Sequence, residues 1–165
     1  MTNSAFVKVI QPDLARCFGS GRLNNLFANI SPAGLCPKTM QATPDSIAWL
    51  LCALIFCRST EPAKIAAWCE AKREQWGSDS TSPFGILCGL LALPHTSRLI
   101  TAIVANRTTG VLTAYACDDS QISSAEVEQT SFCEVVAIDP VFIAWAADKL
   151  YQIRTAALKM RAELN

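Results

Sequence analysis

From Ile47 to Cys57 eleven successive residues, IAWLLCALIFC, are apolar, and a helix drawn through them has no polar face. A helix apolar all round lies inside a protein or in a bilayer, and a bilayer span needs about 20 apolar residues. Eleven are too few, so the run predicts a buried central helix. Its start is marked by Thr43, whose hydroxyl can cap, by Pro44 at the first helical position, and by Asp45 at the positive end of the dipole.

The remaining apolar stretches are read around that helix. Pro12 to Phe18 and Arg22 to Ile30 form two short helices parted by Gly19-Ser20-Gly21, with Leu14, Phe18, Leu23, Leu26 and Phe27 turned inward. Glu61-Pro62 opens a helix to Trp76 with Ile65, Trp68, Cys69 and Trp76 at helical spacing and mixed charge on its other face. Ser82-Pro83 opens another, Phe84 to Leu93, closed by Pro94. Arg98 to Asn106 places Leu99, Ile100, Ile103 and Val104 on one helical face. Val111 to Cys117 fits helix or strand by pattern, and helix by context. The segment SFCEVVAI, 131–138, is the best strand candidate, but a lone strand has nothing to pair with, so it is taken as irregular. Asp139-Pro140 starts the longest helix, to about Glu163, with Ile143, Ala144, Ala147, Leu150, Tyr151, Arg154, Ala157 and Leu158 on one stripe. The prediction is an all-α single domain, residues 1–165, a bundle of six to eight helices with loops at 31–42, 77–82 and 118–131.

Composition adds that the chain is poor in charge. Of 165 residues 51% are hydrophobic and 17% charged, against about 25% charged in an ordinary soluble domain. A surplus of apolar side chains suits a partner surface. Fourteen basic residues balance fourteen acidic ones, so no global field draws in nucleic acid. The N-terminal residues lack the basic and apolar regions of a signal peptide and no run reaches spanning length, which predicts a cytoplasmic protein without membrane insertion.

Eight cysteines raise metal and disulfide chemistry. No CxxC pair occurs and His95 is the sole histidine, so neither common zinc pattern can be written. Most of the cysteines sit in apolar runs, where a thiol behaves as a small hydrophobe; Cys36, in a loop, is expected to be reactive. His95 stands in a turn between helices, and Cys88 lies in an apolar helix where thiolate formation is disfavoured. Gly19-Ser20-Gly21 lacks the third glycine and the strand of a phosphate loop. Asp118-Asp119-Ser120 resembles the opening of a calcium loop, but its twelfth position is Gln129 rather than glutamate. Glu126, Glu128 and Glu134 show no acid–base pairing. No enzyme, cofactor or metal site is expected.

Trp49 and Cys52 in the central helix, the charged helix carrying Trp68 and Trp76, and the alanine-rich helix after Asp139-Pro140 together resemble an uncharacterised bacterial domain family found near type VI secretion genes. The likeness covers Pro44 to Tyr151 and implies a cytoplasmic adaptor or loading chaperone. The expected function is therefore a non-enzymatic interaction protein whose partner is a secretion component, effector or toxin, with homo-oligomerisation left open. The alternative is an immunity or antitoxin protein whose acidic segment, Asp118 to Glu134, covers a basic toxin site. Trp76, at a helix end beside a loop, together with Phe84, Asp118 and Asp119, is the expected partner-binding set.

Overall fold

Thr43 and Ser46 bond reciprocally: the Ser46 amide donates to Thr43 Oγ1 at 3.2 Å and the Thr43 amide to Ser46 Oγ at 3.1 Å. This capping box, with Pro44 at the first position, starts the central helix α3, Pro44–Phe56. Every residue from Ser46 to Ile55 is buried, as the unbroken apolar run requires. In the computed structural model, residues 1–77, 79–125 and 134–163 are described.

Four helices surround α3: α1 Asn3–Phe18, α2 Ser20–Ile30, α4 Pro62–Trp76 and α5 Pro83–Ala92. A short α6, Pro94–Ser97, follows, and α7, Pro140–Glu163, packs on α5 and α6. Helix α1 begins nine residues before Pro12, which it carries in its interior. A proline there leaves the Lys8 carbonyl without its amide, at about 3 kcal/mol in an ordinary helix interior. Lys8 and Pro12 both face solvent, where water meets that carbonyl. Burial of Phe6, Val7, Ile10 and Leu14 on the opposite face more than offsets the loss. Only Gly19, at φ 81°, separates α1 from α2.

The all-α expectation is overturned by an antiparallel sheet inserted between α6 and α7. Its strands are β1 Ile100–Asn106, β2 Val111–Ala116, β3 Gln121–Ser123 and β4 Val135–Ile138, in spatial order β3-β2-β1-β4. The stretches 98–106 and 111–117, read as helices, are therefore the two arms of a hairpin in which Asn106 faces Val111. Two features drive this. ITAIVAN and VLTAYA carry β-branched residues at positions that suit a pleated surface. Between them Asn106 Oδ1 accepts the amides of Thr108 and Thr109, and Gly110 takes φ 76° to close the turn. With that hairpin formed, Val135–Ile138 does have a neighbour, pairing along β1 from Ile103↔Ile138 to Asn106↔Val135. The expected loop 118–131 contains β3, which pairs with β2, while 126–131 lies outside the described residues. Ile103, Ala105, Leu112, Ala114 and Ile138 are buried, and the sheet packs against α5 and α7.

Two arginines hold the end of the central helix, Arg22 from α2 and Arg107 from the hairpin turn. The last carbonyls of a helix have no amide within it to accept from. In α3, Leu54 O accepts Nη2 of both Arg22 (3.0 Å) and Arg107 (3.2 Å), Ile55 O accepts Arg107 Nε, and Cys57 O accepts Arg22 Nη2. Both cations sit at the negative end of the α3 dipole. Arg107 Nη1 also donates to Glu134 at 2.6 Å, and Glu134 takes Arg58 on its other oxygen at 2.9 Å. Thus the turn of the hairpin, the start of β4 and the end of α3 are fastened at one point.

Candidate functional site

The two aromatic residues expected at a binding margin are interior. Trp76 and Phe84 are 5% and 8% exposed. Trp49 stacks on Phe84 with centroids 4.3 Å apart and on Trp76 at 6.4 Å. Trp76 also receives the edges of Trp68 at 6.0 Å and Phe56 at 5.6 Å, and Lys72 Nζ sits 4.6 Å over its ring. Helix α4 ends against α3, so Trp76 closes the core and presents no free face. Asp118 and Asp119 are exposed in the β2–β3 turn, Asp119 at φ 63°. Asp118 Oδ1 accepts the amide and hydroxyl of Ser120, which holds its carboxyl below the usual range. The geometry gathers Trp76 and Phe84 in one cluster and leaves the aspartates in a separate turn.

Nucleophilic chemistry finds no assembled site in the described residues. His95 is exposed on α6, without a side-chain hydrogen bond to a thiol or carboxylate among the described residues. Cys88 Sγ donates to Asp45 Oδ1 at 2.8 Å, and burial, reinforced by that carboxylate, pushes its thiol up to about 12. Among the described residues no three His, Cys, Asp or Glu side chains gather as a metal set. Glu126, Glu128, Gln129 and Cys133 lie outside them.

The expectation for Cys36 is also corrected. Its loop is pinned to α1, with Asn3 Nδ2 donating to Pro37 O and the amides of Asn3 and Ser4 donating to Met40 O and Lys38 O. Cys36 is thereby fully buried, and burial pushes its thiol up to about 12. Burial raises Cys52 and Cys57 as well, and Cys69 to about 11. In the folded protein a thiol reagent is expected to modify the exposed Cys17 and Cys117 rapidly, and Cys36, Cys52, Cys57 and Cys69 only after denaturation. Peptide mapping after a short pulse of iodoacetamide checks this; prompt labelling of Cys52 in native protein would contradict a buried α3.

The surface that stands apart is the second half of α7. Ile143, Ala146, Ala147 and Leu150 are buried, and beyond Leu150 no described residue of the helix is. The stripe read as continuous to Leu158 therefore leaves the core part-way. Tyr151, Leu158 and Met160 are 58%, 57% and 63% exposed. On one side of this segment Gln152, Ile153, Ala157 and Met160, with Met1 and Gln41, line a groove of about 440 Å³. Its far wall is held by an isolated bridge between Thr2 and Gln41, and the Ala42 amide donates to Met1 O. Periodicity alone does not expose this, because Ile153, Ala157 and Met160 have the spacing of a buried face. The visible signal is Arg154 and Arg161, which stand four and eleven residues after Leu150, where the buried stripe would continue.

No protein-family model, curated protein or solved structure matches this chain. Among the described residues no helix is long and apolar enough to cross a membrane.

Proposed function

We propose that this is a non-enzymatic interaction protein, an adaptor or chaperone that engages another protein through the distal half of α7. A cytoplasmic setting beside a type VI secretion system is part of the proposal and rests on the family resemblance. The observation that carries the reading is a helix that continues past the core, with Ile153, Ala157 and Met160 lining a groove on one face and Tyr151 and Leu158 uncovered on the other. An apolar groove left open at the surface is a common mark of a partner site. Methionine at the groove adds adaptability, since its unbranched thioether chain conforms to varied apolar shapes.

A photo-crosslinking amino acid placed at Gln152 is expected to capture one discrete partner in the native host, and Met160→Glu to abolish that adduct while the protein stays folded. The same probe at Ala67, exposed on α4, is the control. An identical pattern from both positions, or an adduct indifferent to Met160→Glu, would remove the groove as the binding surface.

A further inference from the structure

Resting on the reading of the α7 groove as a protein-binding surface, we infer that its occupant is an acidic amphipathic helix of a partner protein, seated on Ile153, Ala157 and Met160 and paired with Arg154 and Arg161. Charge is the first support. From Lys149 to Ala162 the chain carries Lys149, Arg154, Lys159 and Arg161 and no acidic residue. Among the residues whose side chains are described, Lys149 and Arg154 are in no ion pair, whereas Arg98, close by, is held by Asp148 through both carboxylate oxygens at 2.9 and 2.8 Å. Helix-dipole complementarity accounts for cations in a last turn, but the effect fades within that turn. Lys149 and Arg154 stand two or more turns before the end of α7 at Glu163.

Placement is the second support. At about 100° per residue, Arg154 and Arg161 lie roughly 40–60° around the helix from Ala157, on the side away from Ile153 and Met160, so they edge one side of the apolar groove. An apolar floor beside a basic rim complements a helix with an apolar stripe edged by Glu or Asp, the helix-in-groove mode of recognition. A second copy of this chain would set the same cations against one another. A bilayer surface fits poorly, because an interfacial helix needs its apolar residues on one face. Here Leu158 and Met160 point about 160° apart, and Met160 lines a concavity that a flat surface does not enter.

The test uses the full chain labelled with ¹³C at its methionine methyl groups, with Met160 as reporter and Met40, in the neighbouring groove, as internal control. Three probes are titrated: a Leu/Glu amphipathic peptide of about 14 residues, which matches the roughly 20 Å of the distal helix, its Leu/Lys counterpart, and phosphatidylserine vesicles. The expected result is a saturable shift of Met160 with the Leu/Glu peptide alone. Arg154→Glu with Arg161→Glu should weaken that peptide by about tenfold or more and admit the Leu/Lys peptide, with the circular dichroism spectrum unchanged. Equal response to both peptides, response to vesicles only, or concentration-dependent shifts without any probe would overturn the acidic occupant while keeping α7 as a contact surface. Silence of Met160 toward all three probes, with no concentration dependence, would overturn the occupant and the groove together. Arg154→Gln with Arg161→Gln guards against a folding artefact and should show an intermediate loss.

Discussion

Trp49→Ala is expected to destabilise the protein by about 3–5 kcal/mol, the range for removing a buried tryptophan. The indole is the hub of the aromatic cluster, in face contact with Phe84 and Trp76, and its loss exposes both to a void that helices on three sides cannot collapse to fill. For a domain of this size each kcal/mol lowers the midpoint by about 2–4 °C, so thermal unfolding should move down by roughly 6–20 °C. Near-ultraviolet circular dichroism should weaken at the same time, since the stacked rings supply its asymmetry. A shift of less than about 2 °C would mean that Trp49 is not enclosed. Trp76→Ala should behave alike, because Trp76 is a wall of the same cluster.

Arg107→Met is the second large effect, about 2–4 kcal/mol, although it removes no apolar contact. The guanidinium, with only 17% of its side chain exposed, serves Leu54 O, Ile55 O and Glu134 together. Methionine keeps much of the volume and leaves Ile55 O without this donor. Part of the loss is returned by Arg22, whose charge is disfavoured first by burial and then by the nearby Arg107 cation. The variant should also alter the acid response. Hydrogen bonding to Arg107 is the main cause holding the Glu134 carboxyl below its ordinary 4.5. A folded-state value below the unfolded one gives stability that is fully present above pH 4.5 and is lost as pH falls through the lowered value. Arg107→Met should therefore flatten the acid limb of urea midpoints measured below pH 4.5, and Glu134→Gln should flatten it similarly. A variant with unchanged midpoint at neutral pH would show that the α3 carbonyls find other donors.

Helix α3 was legible from residues alone. Thr43 and Pro44 act on atoms within four residues, and an apolar run of eleven, too short to span a bilayer, has to be enclosed by protein; the reciprocal bond from Ser46 came only with the structure. The starts of α4, α5 and α7 follow from the same local chemistry at Pro62, Pro83 and Pro140. The hairpin was harder because its two halves, ITAIVAN and VLTAYAC, are each short enough to fit either period. The deciding evidence is the Asn106 and Gly110 turn between them, which joins the halves into one unit. Strand β4 was beyond local reading: VVAI becomes a strand only because the hairpin offers it the edge of β1.

For the candidate site the division is similar. The sequence by itself determined that apolar residues are many and charges few, that most cysteines belong to apolar runs, and that the stretch from Lys149 to Ala162 carries four cations and no acid. Only the tertiary structure decided which apolar residues are enclosed. Trp76 and Ile153 both have helical spacing and apolar side chains, yet α3 and α5 supply neighbours that cover Trp76, whereas α7 runs beyond α5 and α6 and leaves the groove beside Ile153 open. Periodicity states which side of a helix faces inward; it does not state where along the helix the interior ends, because that limit is set by the lengths of the elements packed against it.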